Sequence, residues 1–232
     1  MNDKVKEKIA CLIIEMIWNR FIDIPFFDSK DNPSVFQDSF IKNFNSSNKQ
    51  SSSETPDKLN NVIQTFFLSK IADIVFFERT AQILCDGEKR KFKDLTINEA
   101  QQSIVSEVIS SLKNNKSKPN LKEENNQLFS AKGKSSLNIP NFDADVYYED
   151  ENDIVVIEIK TVKSNSGIFK VEKEKILLAK AALKNLNPKK NIFYYLAFPF
   201  DPLNEEKCGY NKKRFFNYSV DFKKFFDGAE VL

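Results

Sequence analysis

Apolar and polar positions alternate most sharply between Asn138 and Gly167, and the pattern predicts two adjacent β-strands there. In the first, Phe142 to Glu149, period two puts Asp143, Asp145 and Tyr147 on one face and Phe142, Ala144, Val146 and Tyr148 on the other. The second, Ile154 to Val162, is apolar on both faces until Glu158 and Lys160 interrupt it, as in a strand buried on both sides. Downstream, Phe169 to Asn187 has a helical period: Ile176, Ala179, Leu183 and Leu186 form an inward stripe, Lys173, Lys180 and Lys184 lie elsewhere on the helix, and Pro188 stops it. Ile192 to Phe200 is the most apolar strand, and a short last helix is expected from Ser219 to Phe226.

Upstream the period is helical. Asp3 to Phe21 places Val5, Ile9, Leu12, Ile13, Met16 and Ile17 at helical spacing. Further helices are expected from Pro33 to Phe44 and from Pro56, capped by Thr55, to about Leu84. Another runs from Thr96 to Lys113, with a capping-box signature at Thr96 and Glu99. Asn45 to Glu54 and Asn114 to Asn126 read as polar loops, and Asn126 to Leu137 as holding one weak strand. Helices followed by strand-strand-helix-strand predict an α/β fold: a central mixed sheet flanked by helices, with a helical N-terminal region over 1–115 and the sheet-bearing core over 116–232, together one compact domain.

Composition changes this picture mainly by exclusion. The chain has 232 residues, of which 41% are hydrophobic and 29% charged, ordinary values for a globular protein. It contains no histidine, which removes Ser-His and Cys-His nucleophiles and His-ligated zinc. Its three cysteines, Cys11, Cys85 and Cys208, are far apart and form no CxxC, so a reduced, cytoplasmic compartment is expected. The N-terminal apolar run, broken by Glu15, is too short to span a membrane. Net charge is only +2, but from Lys160 to Lys224 there are 14 Lys and 1 Arg against 6 acids, a basic third that suits a polyanion.

Acid-x-Lys triplets occur four times, at Asp28, Glu158, Glu205 and Asp221, and only Glu158-Ile159-Lys160 lies in a strand expected to be buried. A carboxylate and an ammonium there are costly unless paired or bound to a metal. Pro140-x-x-Asp143-x-Asp145 supplies a second carboxylate, 13 residues before Glu158 at the nearer aspartate, a distance that suits a hairpin bringing both acids to one end. Two carboxylates and a lysine meeting at the edge of a buried sheet make a hard-metal site. The plain alternative is a structural ion pair of Glu158 with Lys160, with Asp143 and Asp145 facing solvent.

This arrangement resembles the PD-(D/E)xK nuclease superfamily over about Pro140 to Phe200, and E-I-K-T-V-K-S-N-S-G followed by E-K-E-K-I-L is most similar to type II restriction endonucleases of the TdeIII type. The proline is not adjacent to the aspartate, so the PD half is degenerate. Asp145 is preferred because Val146-Tyr147-Tyr148 follows it, and Asp143 is the reserve. The resemblance implies that Asp145 and Glu158 bind Mg²⁺ with the Ile159 carbonyl, and that Lys160 orients water or stabilises charge, burial lowering its pKa enough to accept a proton. It implies site-specific, Mg²⁺-dependent hydrolysis of double-stranded DNA, a homodimer for a palindromic site, no membrane, and a cognate DNA methyltransferase in the same system. Lys163 and Asn165, after the active strand, and the Lys212-Lys213-Arg214 cluster are the DNA-contact candidates. Alternatives are a structure-selective nuclease of the same fold and a non-catalytic nucleic-acid-binding protein.

Overall fold

A computed structural model describes residues 1–22, 74–160, 168–198 and 220–231. The helix expected from Pro33 to Phe44 and most of the one starting at Pro56 lie outside the described residues. The chain divides into two compact units, the first comprising 1–86, 161–163 and 199–210 and the second 87–160, 164–198 and 211–232. In the first, α1 (Asp3–Ile22) packs on α2 (Ile74–Cys85). Leu12 is buried, and Arg79 donates to Glu15 across the pair at 3.0 Å. Cys11 and Cys85 are exposed free thiols. No helix among the described residues is long and apolar enough to cross a membrane.

The second unit is built on a four-stranded sheet of order β1-β4-β5-β6, where β1 is Glu88–Phe92, β4 is Phe142–Glu149, β5 is Asp153–Ile159 and β6 is Asn191–Ala197. The first two pairings are antiparallel, and β5 with β6 is parallel, so the sheet is mixed as the pattern predicts. The parallel step is made by a crossover helix, α5 (Ile168–Leu186). A two-stranded ribbon, β2 (Thr96–Asn98) with β3 (Ser136–Asn138), stands apart from the main sheet.

Three local expectations are corrected. The helix placed at Thr96 begins at Glu99 as α3 (Glu99–Lys113), because Thr96–Asn98 is drawn into β2. The cap passes to Asn98, whose side chain accepts from the Gln101 N–H at 2.9 Å while the Gln101 side chain accepts from the Asn98 N–H at 3.0 Å. Glu99 instead accepts from the Lys134 and Ser135 N–H groups at 2.9 and 2.7 Å, and a Cβ on Gly133 would stand 2.7 Å from that carboxylate. Next, part of the segment read as loop and weak strand is a helix, α4 (Leu121–Ser130), capped by Asn120. Its apolar stripe was disguised by Glu124, which is buried between Leu121 and Leu128 on the same face. Finally β1, E-K-R-K-F, is too charged to announce itself; it is an edge strand, where lysine and arginine are tolerated.

Helix α5 carries the fourth correction. Ile176, Ala179 and Leu183 are buried as expected, but Leu186 is 61% exposed, and Lys173 and Lys180 are 0% and 1% exposed. The helix is covered on more than one side, by α3, α4 and α6 (Val220–Phe225) as well as by β6. Lys173 survives burial by donating to both oxygens of Glu230 at 2.8 Å and by its ion pair with Glu124 Oε2 at 2.6 Å. Glu230 belongs to a single 3₁₀ turn (Gly228–Glu230) whose next residue, Val231, bridges to Leu196 of β6. Phe222, Phe225 and Phe226 complete the seal, with Phe169 edge-on to Phe222 at 5.0 Å between centroids.

Burial pulls the Lys180 ammonium down to about 8; the Glu230 charge opposes this and Lys173 adds to it. The folded value lies below the unfolded one, so between about pH 8 and 10.5 the unfolded chain holds more protons. Stability should therefore rise with pH through that window. Lys180→Met should raise the stability of the native protein at pH 7 by about 1–3 kcal/mol and flatten its rise above pH 8, read by urea unfolding at several pH values.

Candidate active site

The hairpin joining β4 to β5 sets the geometry. Asp150 caps its turn, accepting from the Asn152 and Asp153 N–H groups at 2.9 and 2.8 Å. That fixes Tyr147 opposite Val156 and Val146 opposite Ile157. Directly opposed residues share a face of the sheet. Two residues on from the opposed pair Tyr147 and Val156, Asp145 and Glu158 fall on the face that pair shares, so the two carboxylates lie on the same side. Asp145 Oδ2 also accepts from the Ile159 N–H at 2.8 Å, tying the first acid to the strand that carries the second.

Glu158 is 8% exposed. Its Oε2 accepts from the Tyr194 hydroxyl of β6 at 3.2 Å. Its Oε1 receives two ammonium groups, Lys160 at 2.8 Å and Lys175 of α5 at 2.9 Å. Lys160 is anchored at the end of β5, its N–H donating to the Ala197 carbonyl at 2.9 Å. Lys160 Nζ reaches a third carboxylate, Glu172 Oε1, at 2.9 Å. Glu172 Oε2 is buried without a hydrogen bond, 3.3 Å from Lys175 Nζ. Three acids and two lysines thus converge at the carboxyl end of β5.

The charges shape one another. Burial pushes the Glu158 carboxyl up, but Lys175 and Lys160 outweigh it and hold the group below the usual range. Burial likewise pulls Lys160 down, but Glu158 and Glu172 outweigh it and its pKa is raised. This corrects the expectation that burial frees Lys160 to accept a proton: two carboxylates at hydrogen-bond distance keep it an ammonium. Burial, with Glu158 beside it, drives the Tyr194 hydroxyl well up, so it remains a donor.

Other predicted residues are placed differently. Asp143 is half-exposed, with Lys91 of β1 at 3.9 Å, away from the cluster. Ile159 is buried between Glu158 and Lys160, its N–H occupied by Asp145. Lys163, Asn165, Lys212, Lys213 and Arg214 lie outside the described residues. Glu172, Lys175 and Tyr194 are site residues that sequence reasoning missed. A glutamate near the start of a helix has an ordinary explanation in helix-dipole compensation, and the three-residue spacing of Glu172 to Lys175 on one helix face was the available signal.

Among the described residues no three Asp, Glu, His or Cys groups are gathered closely enough to hold an ion by themselves. Two carboxylates are nevertheless what a magnesium ion asks of a protein when waters and a substrate phosphate supply the rest. Asp145 and Glu158, on one face of adjacent strands, fit that demand, and all the donors are hard oxygens.

A central mixed sheet with helices against it, and an acid pair with a lysine where two adjacent strands meet, define a restriction-endonuclease-like α/β protein. The chain belongs to the HinfI family of type II restriction endonucleases, whose model matches residues 1–229. It is 37% identical over 237 residues to the type II restriction enzyme MjaII of Methanocaldococcus jannaschii, a match covering 100% of this chain and 64% of that enzyme's length. No solved structure matches it.

Proposed function

We propose that this chain is a site-specific, Mg²⁺-dependent endonuclease that hydrolyses phosphodiester bonds of double-stranded DNA with a PD-(D/E)xK site. The observation that carries this reading is the placing of Asp145 and Glu158 on one face of the neighbouring strands β4 and β5, with Lys160 two residues on, in a chain of a restriction-enzyme family. The TdeIII-like run from Glu158 to Gly167 is a local likeness within that family match.

Asp145 and Glu158 would hold the Mg²⁺, with the Ile159 carbonyl as a further oxygen. When bound, the ion polarises the scissile phosphate and acidifies a water. The chain's own residues do the rest. Tyr194 fixes the rotamer of Glu158 through Oε2. Lys160, kept as an ammonium, stands against the negative charge that grows on the phosphoryl oxygens during in-line attack and can orient the attacking water by donating a hydrogen bond to its oxygen. Lys163, Asn165, Lys212, Lys213 and Arg214 contact the DNA. A palindromic target calls for a homodimer, and a cytoplasmic enzyme of this kind calls for a cognate DNA methyltransferase.

Incubation of the purified protein with plasmid tests the reading. Discrete fragments that require Mg²⁺ are expected. Cutting of branched DNA alone, or binding without cutting, would overturn it. Asp145→Asn should abolish cleavage and Asp143→Asn only impair it, scored on the same gels. The reverse ranking would hand the metal to Asp143.

A further inference from the structure

The cluster holds one cation more than Lys160 alone would provide. Glu158 Oε1 accepts from Lys160 at 2.8 Å and is ion-paired with Lys175 at 2.9 Å. The two lysines are not equivalent. Lys160 is the strand lysine, its backbone bonded to Ala197 and its ammonium shared with Glu172 at 2.9 Å, so it keeps a carboxylate partner if Glu158 turns elsewhere. Lys175 arrives from α5, and its side chain is 30% exposed against 21% for Lys160. Its second carboxylate contact, to Glu172 Oε2, is longer, at 3.3 Å. Its firm contact is with the oxygen of Glu158 on which Lys160 also sits.

We propose that Lys175 is a resident cation of the nuclease site: its ammonium occupies the Glu158 oxygen that a divalent ion needs, so in the DNA-free protein an ion binds only by displacing it. This rests on the reading of Glu158 as a metal ligand. Without an ion, Lys160 and Lys175 offset the charges of Glu158 and Glu172, while Lys89 of β1 stands 4.0 Å from Asp145 Oδ1. Adding a divalent ion while Lys175 stays would place two cations on one carboxylate oxygen beside a third, Lys160. The ammonium that gives way is that of Lys175, the more exposed of the two and not tied by a second hydrogen-bonded carboxylate, which can swing toward solvent or toward the phosphate of an arriving DNA strand. Lys175 thereby raises the ion concentration at which the empty enzyme becomes loaded.

Mn²⁺ titrated into the DNA-free full-length protein, with free Mn²⁺ read by electron paramagnetic resonance, tests the displacement without reference to cleavage. Manganese prefers the same hard oxygen ligands as magnesium. Lys175→Met should bind Mn²⁺ about tenfold more tightly than the native protein, within the usual range of coupling between two ligands of one site. Lys175→Arg, which keeps the cation, should stay near the native affinity. An affinity for Lys175→Met that is unchanged or weaker would overturn the proposal. Glu158→Gln separates the two levels. Loss of Mn²⁺ binding in that variant supports the metal-site reading on which the displacement depends, whatever Lys175→Met does. Full retention of binding would remove Glu158 as a ligand and the displacement with it. Urea unfolding of each variant confirms that the fold is intact.

Discussion

Lys173→Ala should destabilise the protein by about 3–5 kcal/mol, the largest loss expected from any single substitution in the sheet-bearing unit. The native lysine is completely buried and is the shared partner of Glu124 on α4 and Glu230 in the last 3₁₀ turn. Without it, two carboxylates buried within reach of one position lose their counter-ion and repel each other, and α5 gains a cavity where a four-carbon stem had been. Lys180, itself weakened as a cation by burial, is a poor substitute. Urea unfolding gives the value. A triple variant, Lys173→Met with Glu124→Gln and Glu230→Gln, should recover much of the loss, since replacing a whole buried charge cluster costs far less than breaking one. A loss below about 1 kcal/mol for Lys173→Ala would mean that the cluster is hydrated and contributes little.

The contrast between this buried cluster and the one at Glu158 marks how far the chain could be read from its pattern. Alternation between Phe142 and Glu149 and the apolar run that follows it were enough to place the hairpin, because period two is a property of each strand alone. Glu158 and Lys160 stood out because charge in such a run demands an explanation, and 13 residues of spacing bring Asp145 to the same face as Glu158. What escaped was charge whose burial depends on a distant partner. Lys173 and Lys180 were placed away from the inward stripe, yet the elements around α5 bury every residue from Ile176 to Leu183, and Lys173 with them. Glu124 hid the amphipathic face of α4 for the same reason: its partner lies on another helix, far along the chain. Glu172 and Lys175 were equally invisible as site residues, because a glutamate near the start of a helix has an ordinary explanation and nothing local says that the helix docks against the end of β5.

Lys160→Ala should lower cleavage on the order of 10²–10³-fold, the loss typical of removing one preorganised donor from developing charge, while DNA binding and folding stay close to native. Two roles are open to an active-site lysine, and the site distinguishes them. A general base needs a depressed pKa and a lone pair aimed at water. Lys160 instead lies between Glu158 and Glu172, and their charges outweigh the burial that would depress it. In the proposed mechanism it acts as a cation, and cation chemistry survives a change of cation better than base chemistry does. Lys160→Arg should keep part of the activity that Lys160→Ala loses, although the planar guanidinium does not reproduce the geometry of a point charge. Single-turnover cleavage of plasmid by the two variants, with binding measured separately, makes the comparison. Equal inactivity of arginine and alanine would restore the base role, and native rates in Lys160→Ala would remove the lysine from the reaction. Glu172→Gln gives an independent check: it takes one carboxylate from Lys160 while leaving Asp145 and Glu158 in place, so it should slow cleavage less than Lys160→Ala does.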